Sequence, residues 1–233
     1  MTEIKSTSVF ERIDEIMPGV FLSGGRAVKV ASIRKFEITC VINTAVELPH
    51  LPIPCLQCIK IPLSDSVYVD IRRHFDYVLN KINEIVDNGG RVLVHCVAGA
   101  SRSATFILAY LMKFHGLNLR EAYIFVKSKR SIIQPNFGFF RQLIEFEREI
   151  FGLESVKFVY SESSRTFIPD VVESELKEQL SKYKRLGIAS NIKHRYAGSI
   201  TQPICSFYVS APRPITHCRL SIFLLQEKVQ TCS

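Results

Sequence analysis

The sequence predicts an α/β fold: a central, mostly parallel sheet covered by helices on both faces, followed by a loosely ordered C-terminal extension. Three observations carry that expectation. RVLVH at 91–95 is a short, almost wholly apolar run, the type of strand that lies inside a covered parallel sheet. Upstream of it, short β-branched runs alternate with segments of helical periodicity. Downstream, helical segments follow one another as far as Gly152, and composition changes after it.

The elements follow in order. GVFLSGG (19–25) is a short strand that stops at a Gly-Gly turn, VKVASIRKF (28–36) has helical spacing, and ITCVINTA (38–45) is a β-branched strand. Three prolines make ELPHLPIPC (47–55) a loop, and CIKIPLSDS (58–66) is another strand ending in a turn. Phe75, Val78, Leu79, Ile82, Ile85 and Val86 form one face of a helix, which DNGG (87–90) ends. After RVLVH, residues 103–114 are apolar almost all round and predict a buried helix. A further helix spans 119–130, and QPN (134–136) stops the chain with Asn136 as an N-cap. Phe139, Leu143, Phe146 and Ile150 then recur at spacings of 4, 3 and 4 as a core-facing seam.

These elements make residues 9–152 one domain and 153–233 an extension. Residues 153–166 are polar and serine-rich, 173–185 predict a surface helix, and 186–233 have no sustained periodicity beyond the isolated SIFLL (221–225). KYKR (182–185) reads as a solvated helix face.

The net charge of +8 favours anionic partners without choosing among phosphoproteins, nucleic acid and membrane. The first 17 residues hold no apolar stretch of signal-peptide length, and FILAYLM is far too short to span a bilayer. The protein is therefore expected to be intracellular, cytoplasmic or nuclear or both, with its seven cysteines reduced. CLQC (55–58) lacks a second pair or a histidine pair at zinc spacing, and no metal or other cofactor is expected. His74 and His115 read as ordinary surface or helix-end histidines.

The chemistry lies in HCVAGASRS (95–103). A strand delivers Cys96 to its C-terminal end, and a buried helix begins a few residues later. The small residues between let the backbone curl with its N–H groups inward, a nest that binds anions and favours the reactive thiolate. Arg102, six residues on, has a planar fork suited to two oxygens of a tetrahedral oxyanion. The residues predict a thiolate that attacks the phosphorus of a bound phosphate ester and forms a cysteinyl-phosphate, later hydrolysed.

HCVAGASRS has the H-C-x-x-G-x-x-R-S form of the protein tyrosine phosphatase loop. With IPLSD, AYLMKFH, EAYIFVKSKR, PNFGFFRQL and FEREIFG, the chain resembles the small, single-domain atypical dual-specificity phosphatases from about residue 9 to 152, with a fainter echo at IPDVVESEL (168–176). The resemblance implies Cys96 as nucleophile and Arg102 as phosphate clamp. It implies Ser103 as the hydroxyl that stabilises the departing thiolate, and His95 as a shaper of the loop. The amides of Val97, Ala98, Gly99, Ala100, Ser101 and Arg102 would line the phosphate cradle. The family's general acid follows a strand some thirty residues before the cysteine, which matches Asp65, 31 residues upstream, over its rivals Asp70 and Asp76. Asn136 matches a Pro-Asn segment that buttresses the active-site loops. The chain departs from the family at Arg130–Ser131, where Arg-Pro is common, and a looser turn is expected.

Phosphatases for highly charged inositides tend to carry lysines or an aspartate inside the loop. Val97, Ala98, Ala100 and Ser101 are uncharged, which favours a singly phosphorylated site on protein. The 95 residues before Cys96 leave no room for the segments that deepen a strict phosphotyrosine pocket, or for a kinase-docking domain. The expected substrates are therefore phosphotyrosine and phosphoserine or phosphothreonine on proteins, kinases of a MAP-kinase pathway among them, with no nucleic acid. The alternatives are a phosphoprotein-binding adaptor with little turnover, and a phosphatase for phosphoinositides or RNA 5′ phosphates. Reversible inactivation by peroxide is also expected, with Cys40, Cys55 and Cys58 as candidate partner thiols.

Overall fold

A computed structural model describes residues 8–49 and 56–185. Its main sheet has five strands: β1 (Ile13–Met17), β2 (Val20–Gly24), β3 (Cys40–Ala45), β4 (Gln57–Leu63) and β5 (Val92–Cys96). Their spatial order is β1-β2-β5-β3-β4, antiparallel only at β1–β2. The run that the sequence places in the sheet interior is the central strand: Val94 pairs with Leu22 on one side and Ile42 on the other.

Alternation along these strands divides the core. Val20, Leu22, Cys40, Ile42, Val92 and Val94 face a large cluster with α2 (Phe75–Asp87), α3 (Arg102–His115), α4 (Leu119–Lys129) and α5 (Phe137–Phe151). Phe21, Val41 and Leu93 face a smaller cluster with α1 (Val30–Lys35), through Ile33. Every residue from Arg102 to Met112 of α3 is buried, as the unbroken apolar pattern requires. Asn118 and Glu121 form a capping box at the start of α4, and Gly116 and Gly152 end α3 and α5 in left-handed conformation.

Strand β1 is absent from the sequence reading, because IDEIM puts a carboxylate on a core-facing position. Asp14 is 9% exposed there and is neutralised by Arg130, which lies 116 residues away in sequence. Packing also continues past Gly152, where the sequence reading ends the domain. The hairpin of β6 (Phe158–Ser161) and β7 (Thr166–Pro169) leads into α6 (Glu173–Arg185). Val156, Ile168, Val172 and Leu176 join the large core cluster. The serine-rich composition hides this because so few apolar residues carry it. The rest is held by ion pairs such as Arg120–Asp170 and Lys127–Glu175, each at 2.6 Å. Residues 50–55, which include Cys55, and 186–233, with SIFLL, lie outside the described residues, as do the side chains of KYKR. None of the helices among the described residues is long and apolar enough to cross a membrane.

Candidate active site

The site lies at the C-terminal edge of the parallel strands, where β5 ends at Cys96 and α3 begins at Arg102. Between them the backbone turns sharply at Gly99, which has φ +69°. A Cβ there would lie 2.4 Å from the Ser23 carbonyl, so glycine is required both by conformation and by close approach. The Val97 carbonyl accepts from Gly25 N–H at 3.0 Å, and that of Ala100 from Gln134 N–H at 2.8 Å. These bonds hold the two carbonyls away from the loop, and a trans peptide then points the amide that follows each the opposite way. Ser101 does not cap α3 with its side chain, so the helix start stays open to an anion.

Cys96 is buried, and its sulfur accepts from Gly99 N–H and from Ser103 Oγ, both at 3.2 Å. Arg102, 1% exposed, donates through Nη1 to the Leu63 carbonyl at 2.9 Å and to Glu47 Oε2 at 2.5 Å. Its Nε is buried without a hydrogen-bond partner and lies 3.8 Å from Asp65 Oδ2. A buried guanidinium N–H without a hydrogen-bond partner, on the residue that closes the loop, is what an incoming oxyanion would satisfy. Burial alone would lower the Arg102 pKa, but the charges of Cys96, Glu47 and Asp65 outweigh it and raise it above the usual value. His95 is 3% exposed, and burial pushes its pKa down to about 4, so the ring is neutral at physiological pH. Its carbonyl accepts from Thr44 Oγ1 at 2.9 Å.

Asp65 comes from the loop after β4. Its Oδ1 accepts from Ser101 Oγ at 2.7 Å and from Asn136 Nδ2 at 2.8 Å. Asn136 N–H donates to Ser101 Oγ at 3.1 Å, while Asn136 Oδ1 caps α5 by accepting from Phe139 N–H at 2.9 Å. One side chain therefore ends a helix and holds a carboxylate against the loop. The rival carboxylates are elsewhere: Asp70 accepts from Arg73 N–H, and Asp76 is 89% exposed and paired with Lys113. Helix α5 fixes the Asp65 loop at two further points. Gly138 lies so close to Val67 that a Cβ would fall 2.1 Å from its carbonyl oxygen, and Gln142 bonds Val69 O, Ile71 N–H and Arg72 N–H.

The structure thus brings Cys96, Arg102, Ser103, Asp65, Asn136, His95 and the 97–102 backbone into one site. Sequence reasoning missed Glu47, which stands in a proline-rich loop with no periodicity to mark it. That turn is held by Asn43 Nδ2 on Pro49 O at 3.1 Å and by Lys60 Nζ on the carbonyls of Ala45 and Leu48. It also missed the Ser101 hydroxyl, expected only as a backbone liner. Of the candidate redox partners, Cys40 faces the large core cluster and burial pushes its pKa up to about 12, whereas Cys58 packs against the smaller cluster on the opposite face. The turn after Arg130 is closed by Ile133 N–H, which donates to Arg130 O at 3.3 Å.

Comparison with known proteins gives a consistent picture. The family model for the dual specificity phosphatase catalytic domain matches residues 20–149. Mouse dual specificity protein phosphatase 14 is 47% identical over 167 residues, which are 70% of this chain and 82% of that protein. The crystal structure of human DUSP28 superposes with a TM-score of 0.57 at 30% identity, covering 59% of this chain and 94% of the other. A mouse putative dual specificity phosphatase complexed with zinc tungstate gives a TM-score of 0.59 at 28% identity, over 65% of this chain and 96% of that one.

Proposed function

The chain belongs to the dual specificity phosphatase family, and on that premise we propose that it hydrolyses phosphotyrosine and phosphoserine or phosphothreonine on proteins with Cys96 as nucleophile. The observation that carries the reading is the convergence of Gly99 N–H and Ser103 Oγ on the Cys96 sulfur, with the buried Asp65 carboxylate held on Ser101 of the same loop. In the first step the thiolate forms a sulfur–phosphorus bond as the ester oxygen leaves. The 97–102 amides and Arg102 hold the non-bridging oxygens. Asp65 gives its proton to the leaving alkoxide or phenoxide. In the second step Asp65 takes a proton from water, the water oxygen attacks phosphorus, and the sulfur departs as a thiolate to which Ser103 Oγ donates. Inorganic phosphate is released and the enzyme is restored.

Asn136 and Ser101 position Asp65, and His95 shapes the loop as a neutral, buried ring. The catalytic unit is residues 9–152, with the 153–185 segment as its buttress. Phosphorylated proteins are the partners, MAP-kinase-pathway kinases among those to be tried, in the cytoplasm or nucleus. The uncharged Val97, Ala98, Ala100 and Ser101 support singly phosphorylated substrates over inositides.

The experiment is phosphate release from matched phosphotyrosine and phosphothreonine peptides and from an inositide, by wild type, Cys96→Ser and Asp65→Ala. Release from both peptides, abolished by the first change and reduced by the second, is expected. Retained peptide binding without release by the wild type would instead make the site a reader of phosphoproteins, and preference for the inositide would overturn the substrate assignment.

A further inference from the structure

Arg130 is one of the largest fully buried side chains, 0% exposed, and the mechanism above does not use it. Its guanidinium lies behind the phosphate loop. Nε donates to the Gly99 carbonyl and Nη2 to the Ala98 carbonyl, both at 2.9 Å. Nη1 donates to Asp14 Oδ2 at 2.7 Å and reaches the carbonyls of Val9 and Arg12 at 3.2 and 3.3 Å. Asp14 is itself paired outward with Arg12 at 2.5 Å.

A trans peptide unit points its C=O and its N–H in opposite directions. A carbonyl of Ala98 held on Arg130 therefore aims Gly99 N–H the other way, and that N–H meets the Cys96 sulfur. A carbonyl of Gly99 held on Arg130 aims Ala100 N–H into the same interior. The flanking carbonyls of Val97 and Ala100 have backbone partners. The two central ones depend on this side chain.

We propose that Arg130, neutralised by Asp14, is a positioning residue of the active site: its fork sets two peptide planes of the phosphate loop and ties them to the N-terminal strand. The proposal rests on the phosphatase reading for its kinetic consequence, but the loop geometry it asserts can be read by anion binding alone. A guanidinium is required because one ammonium cannot serve both carbonyls and Asp14 in fixed geometry.

The test compares wild type, Arg130→Met, Arg130→Lys and Asp14→Asn with Ile16→Ala, a change in β1 within the large core cluster. Thermal stability, the Kd for tungstate by calorimetry, and kcat and KM on a phosphotyrosine peptide are measured for each. Displacing inward amides is expected to weaken tungstate binding about 10-fold and to lower kcat/KM about 100-fold in Arg130→Met, mostly in kcat. Arg130→Lys should recover little of this. Ile16→Ala should lose stability with both readouts near wild type at a temperature where it is folded. If the Arg130 variants do not fold, Asp14→Asn, which keeps an acceptor oxygen and removes the charge, should still weaken tungstate several-fold. Wild-type tungstate binding in Arg130→Met or Asp14→Asn, full recovery in Arg130→Lys, or an equal loss in Ile16→Ala would overturn the proposal. A wild type that binds tungstate and turns over no phosphopeptide would instead overturn the phosphatase reading and leave the binding comparison decisive for Arg130.

Discussion

Asn136 performs two jobs with two atoms, and substitution separates them. Its Oδ1 caps α5 on Phe139 N–H, and its Nδ2 donates to Asp65 Oδ1. Serine can cap a helix but cannot reach Asp65 with a second donor, and alanine does neither. Loss of the cap costs about 1 kcal/mol, so Asn136→Ala should melt about 2–4 °C below Asn136→Ser. The acid form of Asp65 that gives up its proton is neutral, and a hydrogen bond to it is worth about 0.5–1.5 kcal/mol. Asp65 keeps its 2.7 Å bond from Ser101, so both variants should lose turnover by up to about 10-fold. The loss should fall on kcat. It should be large for a phosphothreonine peptide, whose alkoxide needs a proton to leave, and small for an aryl phosphate with an acidic phenol. The assay is steady-state kinetics on both substrates beside thermal denaturation. Wild-type turnover of phosphothreonine by Asn136→Ser would refute the argument, as would equal losses on the two leaving groups.

Further expectations follow from the same geometry. Burial holds the His95 pKa at about 4 in the folded protein, against about 6.5 in the unfolded chain. Its effect is therefore absent above about pH 6.5; as pH falls towards 4 the unfolded chain takes up a proton that the folded one refuses, and stability drops by up to about 3 kcal/mol. His95→Asn should flatten this part of the stability–pH curve, and an unchanged slope would contradict the buried neutral ring. Glu47→Gln removes the charge beside Arg102, but Glu47 is half exposed, so the effect is discounted to about 1 kcal/mol. KM should rise about 5-fold with kcat little changed, and an equal fall in kcat and kcat/KM with KM unchanged would show that Glu47 acts in the chemical step instead. Peroxide should inactivate the enzyme and dithiothreitol restore it, because the working thiolate is also the oxidisable one. Full activity after peroxide without reductant would count against a thiolate nucleophile.

The central strand, the buried α3 and the loop between them were legible because everything that specifies them is contiguous. An apolar run, a glycine at the turn, an arginine at the sixth position and another apolar run occupy residues 91–114, and periodicity and small-residue sterics are local properties. Asp65 was legible only through the spacing of a known family, since nothing local separates it from Asp70. The hairpin after Gly152 was not legible, because β7 puts Ile168 into the core, β6 only packs Phe158 and Val159 partly buried against it, and long-range ion pairs produce no sequence period.

The sequence by itself determined the class of chemistry: a thiol at the end of a buried strand, followed by an anion nest and an arginine. Tertiary structure alone decided which charged side chains stand around that nest. Asp14, Glu47 and Arg130 come from a strand, a proline-rich loop and the end of a helix, and the pairs they make, Asp14 with Arg130 and Glu47 with Arg102, join residues far apart in sequence. Burial of a charge is favourable only once an opposite charge and hydrogen bonds are in place, and that condition is met by the fold and by no stretch of sequence.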